Sequence, residues 1–530
     1  MRRKAKIFFI IWLSVTHFKK ATAIIAYNKS FFIFLKSAGR IFMNQSVLFM
    51  LFFLVYTFLM IYSGRSGFYD TYNVRDFFVA GNSLGVFLST ATFVATWFSA
   101  ASFLGLGSSL YIYGVSSIIY SILQWFAGAI FLFFLASRIK DYDILTFSEF
   151  FYVRFNSRLM QFSVAFLMIV SYILYITMQI KGFGLVTEML LNIPYDAAIL
   201  LVYLYILYTT FGGLYSVVKT DAVNTFIIVA ASISFGLFII RANHGVANII
   251  AGAANINTLP VSGWETPTPR GGLLDISCGG LQPPIYLFTS FFGWGLGLAA
   301  NPQYAIRMIS ARDKSVARKM VIFSIAVLSV VYAFIIAGSI GLRVLIPTAP
   351  HINNIDEIIP SLFSGIAPGY SVGIILIGII AASVSTANSE LLLIANSFTN
   401  DIFKNLYFGQ LDDDRMLFLN RVVIAAAGTV SLILSFNPPI KVIEFGGNIW
   451  GVFASSTFIP LYAGVFMKKA SGHAVEAAFF AGLTSYLLFL ATIPYLANST
   501  PNNIHPGLFA FAVSGLAFII AQRRSNDAKH

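Results

Sequence analysis

Residues 378–403 read GIIAASVSTANSELLLIANSFTNDIF, an apolar stretch long enough to cross a bilayer that nevertheless carries Ser383, Ser385, Thr386, Asn388, Ser389 and Glu390 in its middle. Buried oxygen atoms are costly unless each finds a partner, and the interior of a membrane has no water to supply one. On a helix, Ala382, Ser385, Thr386 and Ser389 fall at i, i+3, i+4 and i+7 and share a face. Two readings fit. The hydroxyls turn inward together and, with carbonyls from elsewhere, supply the about five or six oxygens that a dehydrated monovalent cation such as sodium needs. Alternatively, each bonds back to the carbonyl one turn earlier, as serine and threonine do in membrane helices.

The rest of the chain supplies the setting. Of 530 residues, 58% are hydrophobic and only 10% charged, which excludes a string of soluble domains and implies a polytopic membrane protein. A single cysteine, Cys278, leaves no disulfide framework, and the six histidines show no metal-binding spacing. No paired carboxylates or nucleophile–base set stand inside the apolar runs, so an enzyme is not expected. Thirteen runs read as spanning helices: 46–63, 84–112, 116–136, 160–180, 196–212, 222–241, 284–303, 320–341, 369–397, 419–436, 445–467, 474–494 and 506–522.

A net charge of +13 would suit nucleic acid were it not for its distribution. If the connection 64–83 is cytoplasmic, twenty of the 34 Lys and Arg fall on that side and five on the other: Lys181, Arg241, Arg270, Arg343 and Lys441. The positive-inside rule then puts the N-terminus outside and the C-terminus in the cytoplasm, in a cell (inner) membrane. No nucleic-acid partner is expected, only membrane lipid and a small solute, with the chain a monomer. Residues 1–43 carry the remaining nine basic residues and no acid, against this bias. They read as a surface segment, a re-entrant element or a start placed upstream of a true first residue at Met43, the last being preferred.

Two spans are too rich in small and polar residues to stay continuous: STATFVATWFSAASFLGLGSSLYIYG (89–114) and SFFGWGLGLAANPQYAIR (290–307). Close helix packing would explain either one alone. Lying five spans apart, and taken with 378–403, they point to an inverted-repeat transporter with its site at the midplane.

Five stretches together resemble the sodium/solute symporter family: 378–403 itself, DFFVAGNSLGVFLSTATFVATWFSAASFLG (76–105), TTFGGLYSVVKTDAVNTFII (209–228), GWGLGLAANPQYAIRMISARD (293–313) and IWGVFASSTFIPLYAGVFMKKASGHAVEAAFFAG (449–482). The resemblance covers roughly residues 45–500 and implies an all-α protein with a LeuT-type 5+5 inverted-repeat core. The chain then divides into the extension 1–43, a first helix and loop 44–83, a ten-helix core 84–467, two further helices in 468–522 and a tail 523–530. It further implies a sodium site from the backbone carbonyls of Ala95, Phe98 and Ala382 and the hydroxyls of Ser385 and Thr386. A second sodium or an ion exit would involve Asp221, Asn388 and Ser389, although Asn388 departs from the serine some members have. Substrate candidates are Thr96, Trp97, Gln124, Gln179, Lys181 and Trp294. Trp97 stands where proline-type members are acidic, and Lys181 either snorkels to the headgroups, the preferred reading, or meets a carboxylate-bearing solute. Glu390 is the candidate proton-linked group. The implied function is import of a small polar solute coupled to sodium, with a lean toward organic acids of the pantothenate or monocarboxylate type. A sugar or amino-acid symporter, or a sensor or channel on this fold, is the alternative.

Overall fold

A computed structural model describes residues 45–257, 268–348, 355–406, 412–438, 442–492 and 504–527. The basic stretch 1–43, Lys441 and residues 528–530 fall outside them. Long apolar runs cannot leave peptide groups unpaired in hydrocarbon, so they wind into helices. Among the described residues an isolated bridge pairs Leu84, just before the first broken span, with Ala311, just after the second.

The spanning elements are α1 (Gln45–Asp70), the bent pair α2 (Val86–Trp97) and α3 (Ala101–Tyr113), α4 (Val115–Asp141), α5 (Arg158–Leu191), α6 (Tyr195–Phe211), α7 (Gly213–Ala242), the short pieces α8 (Trp294–Ala300) and α9 (Pro302–Ser310), α10 (Lys314–Leu345), α11 (Gly369–Phe403), α12 (Asp413–Ser435), α13 (Val442–Phe466), α14 (Gly472–Thr492) and α15 (Pro506–Asp527). Ten of these are long and apolar enough to cross a membrane, eleven with the bent pair. Two of the thirteen expected spans fall short of that test. α6 has 17 residues, roughly 25 Å against a hydrocarbon core of about 30 Å, and the seventh span is divided into pieces too short to count.

The breaks have local causes. α2 ends where Phe98 takes an extended backbone (φ −86°, ψ 103°), and α3 starts again at Ala101 after a bend of 58°. Gly114, at φ 55°, separates α3 from α4, and a Cβ there would lie 2.0 Å from the Leu273 carbonyl, so only glycine permits the approach. In the seventh span Asn301 and Pro302 divide the helix: Asn301 is extended and its side chain caps the Gln303 amide at 3.2 Å, while Pro302 opens α9.

α11 is the centre of the bundle, packed by α1, α2, α5, α7 and α12. In its apolar centre 89% of the residues are buried, against 28% in the first helix, which faces outward. Its polar side chains therefore meet protein rather than lipid.

Lys181 departs from expectation. It does not snorkel to the headgroups and does not face the central space; its ammonium lies 2.7 Å from Asp356, with the two side chains 3% and 1% exposed. Asp356 sits in the 342–368 connection, which folds back over the bundle, and its carboxylate also accepts from the Val442 amide at the start of α13 (3.3 Å). A lysine on a buried helix face is better neutralised by a carboxylate within reach than by stretching to distant lipid. Lys181→Met breaks this buried ion pair and is expected to lower stability, by up to about 3–5 kcal/mol. Replacing both partners with apolar residues should recover much of the loss. Thermal melting of the purified single and double variants checks this, and a silent single variant would show the lysine to be at the surface after all.

Candidate ion and solute site

Where α2 stops, the Ala95 carbonyl has no following turn to donate to it. It accepts instead from the Ser385 hydroxyl of α11 at 2.8 Å. Ser385 also reaches the Ala382 carbonyl at 3.1 Å, and Thr386 reaches the same carbonyl at 3.1 Å. The oxygens of Ala95, Ala382, Ser385 and Thr386 thus converge in a fully buried spot, beside the extended Phe98 at the end of α2. Each hydroxyl bonds back along its own helix, and Ser385 spans the gap to Ala95 as well.

The other half of the break is held by polar side chains. Gln179 of α5 accepts from the Ala100 amide at 3.2 Å, and Ser99 accepts from the Ala101 amide at 3.2 Å, together capping the start of α3. Gln179 therefore serves the backbone. So does Gln124, whose amide donates to the Ile119 and Leu287 carbonyls at 3.0 and 3.2 Å.

Next to the break lies a small cavity lined by Trp97, Ser99, Ser102, Trp125, Tyr175, Trp294 and Trp450, with Ala101. Trp294 packs edge-on against Trp125 (5.3 Å between ring centres) and Trp450 (5.2 Å). The indole nitrogens of Trp97, Trp125 and Trp294 are buried without an acceptor. A larger, more open cavity is lined by Tyr120, Tyr286 and Glu444 among others, and its Tyr120 meets Trp294 edge-on at 6.3 Å. A third, about 220 Å³, is lined by Phe78, Ile306, Arg307, Ser389 and Asn396. Trp294 of the first space thus touches Tyr120 of the second, and Arg307 of the third is bonded to Thr96, next to Trp97 of the first.

The remaining candidates separate. Asp221 of α7 accepts from Thr92 at 2.5 Å and pairs with Arg307 at 3.4 Å. Arg307 also donates to Thr96 at 3.2 Å and to Ser389, and Thr96 and Ser389 stand 3.2 Å apart. Asn388 faces away from this cluster, accepting from Thr209 and Thr210 at 2.8 and 3.0 Å. Glu390, one turn beyond Thr386, is buried with one carboxylate oxygen unpartnered. The acidic end of the motif, Asp401, accepts from Thr146 (2.9 Å), Ser148 and Gln161 (2.7 Å). Sequence reasoning missed Arg307, which it grouped with the basic loops. Its position inside the apolar run PQYAIRMIS was the available signal. It also missed Trp125 and Trp450, although Trp125 falls mid-span rather than at an interface, where membrane tryptophans concentrate.

Residues 77–483 match the model of the sodium:solute symporter family. The chain belongs to that family. Among its relatives are a sodium/pantothenate symporter of Escherichia coli (strain K12), 25% identical over 85% of this chain and 90% of the relative, and an osmoregulated proline transporter of Bacillus subtilis (strain 168), 23% identical over 90% and 95%. The fold matches the substrate-bound, outward-open state of a Na+-coupled sialic acid symporter with a TM-score of 0.69 at 17% identity, covering 90% of this chain and 97% of that one. This symporter-family chain thus has the all-α, LeuT-type architecture, is a transporter rather than an enzyme, and takes sodium as its coupling ion.

Ser385→Ala and Thr386→Ala each remove one oxygen from the convergent set, a loss on the order of 1–3 kcal/mol. The expected result is a rise of roughly 5- to 150-fold in the sodium concentration for half-activation, with the protein still inserted. Sodium activation curves check this; unchanged half-activation in both variants would remove these residues from the site.

Proposed function

We propose that this chain is a sodium-coupled secondary active symporter that carries a small polar solute into the cell, with its N-terminus outside and its C-terminus in the cytoplasm. The observation that carries the reading is the Ala95 carbonyl, freed by the break after α2 and met at 2.8 Å by Ser385 of α11. A sodium ion taking up those oxygens, with Phe98, Ala382 and Thr386, would tie α2 to α11 beside the tryptophan cavity. Ion and solute would then each favour the state that the other needs, which is what coupling requires.

For the solute, the lining favours an apolar body with hydrogen-bond acceptors, because indole faces and unaccepted indole N–H groups dominate it. The relatives' names include pantothenate and proline, so they support an organic acid of the pantothenate type and an amino acid alike, and neither a monocarboxylate nor a sugar. Lys181 no longer supports the acid, being engaged with Asp356. Thr96, Trp97 and Trp294 remain the solute candidates, and Gln124, Gln179 and Lys181 support the walls. Glu390 deepens the coupling question, because a carboxyl without a counter-charge in a dry span takes a proton or a cation.

In sealed vesicles, an inward sodium gradient should raise uptake of one of these solute classes severalfold, and dissipating the gradient should abolish the gain. Uptake indifferent to sodium across all classes, or currents of channel size, would end the symporter reading. Glu390→Gln should keep the sodium dependence and flatten the pH dependence. A wild-type pH profile in that variant would leave Glu390 without a part in proton coupling.

A further inference from the structure

The residues expected to form a second sodium site already surround a cation. One guanidinium nitrogen of Arg307, Nη2, lies 3.4 Å from the Asp221 carboxylate and is hydrogen-bonded to the Ser389 hydroxyl, and Nε donates to Thr96 at 3.2 Å. Arg307 and Asp221 are 1% and 0% exposed, and Thr92 donates to the same carboxylate oxygen at 2.5 Å, while Oδ1 of Asp221 and Nη1 of Arg307 are buried without a partner. Asn388, the third residue of the expected set, is turned to Thr209 and Thr210.

We propose that Arg307 is the resident cation of the second position, so that this chain binds one exchangeable sodium, at the Ser385–Thr386 site, and fills the Asp221–Ser389 position with its own guanidinium. Arginine stays charged under all physiological conditions and presents a fork of donors, so it satisfies a carboxylate and a hydroxyl together, as a bound ion would. A sodium ion brought to the same oxygens would meet the guanidinium at contact distance in a medium of low dielectric, where like charges repel strongly. The pair also ties α9 to α7 and α11, so the half-helix after the Asn301–Pro302 break is held by a permanent charge. The neighbouring break at Phe98, by contrast, is held by an exchangeable ion. Arg307 and Ser389 line the third cavity, so the fixed charge also faces the route leading away from the tryptophan cavity.

The inference rests on the sodium-symporter reading, and counting bound sodium tests the two separately. Equilibrium binding of radioactive sodium to the purified protein at alkaline pH should give one ion per wild-type chain. Arg307→Ala should raise the count by one, doubling it, because a buried carboxylate deprived of its counter-charge recruits a cation. Arg307→Lys, which keeps the charge, should add none, and Arg307→Ala combined with Asp221→Asn should return the count to the wild-type value. An Arg307→Ala protein with no added ion would overturn the inference, as would two ions bound to the wild type, a measurement that needs no variant to fold. A wild type whose single ion survives Ser385→Ala, with the increment in Arg307→Ala intact, would instead overturn the placement of the main sodium site and leave the role of Arg307 standing.

Discussion

The structure depends on one broken helix in a place without water. Ending α2 at Trp97 strips the last carbonyls of that helix and the first amides of α3 of their regular partners, and hydrocarbon cannot replace them. Every neighbour then acquires a task. Ser385 meets the Ala95 carbonyl, Gln179 and Ser99 take the amides at the start of α3, and the rings of Trp97, Trp125, Trp294 and Trp450 close the space that a continuous helix would have filled. The central helix α11 carries hydroxyls because it lies against this defect.

Buried carboxylates receive four different treatments, and the difference divides what is fixed from what can change. Asp356 has a lysine 2.7 Å away and ties a surface connection down onto the bundle. Asp221 has an arginine and a threonine. Asp401 has only neutral donors, which fasten the far end of α11 to the 142–148 connection and to α5. Glu390 keeps one oxygen without any partner. Paired groups are costly to separate and act as struts, whereas an unpaired one can exchange a proton or an ion at little structural cost.

Much of this was legible in the sequence, and what was not has a physical reason. Helix periodicity set Ala382, Ser385, Thr386 and Ser389 on one face because that pattern is local, and runs of Gly, Ala and Ser marked both breaks because helix propensity is local too. The partner of Lys181 was out of reach: Asp356 lies 175 positions away, in a connection whose return over the bundle no local pattern encodes. Arg307 was mistaken for a loop charge because counting basic residues cannot tell a solvated arginine from one enclosed by a carboxylate. The backbone contacts of Gln124 and Gln179 were out of reach as well, because a polar side chain in a span serves unpaired backbone as readily as a solute.

The tryptophan lining has a practical consequence. The chain has six tryptophans, and four of them converge on one cavity; Trp12 and Trp264 lie outside the described residues. Indole emission responds to the polarity and the quenching neighbours around the ring, so the ultraviolet fluorescence of this protein is weighted toward that cavity. An unlabelled sample in detergent thereby contains an optical gauge of that cavity. Libraries of small solutes can be screened against it, with and without sodium, before any of them has been shown to cross a membrane.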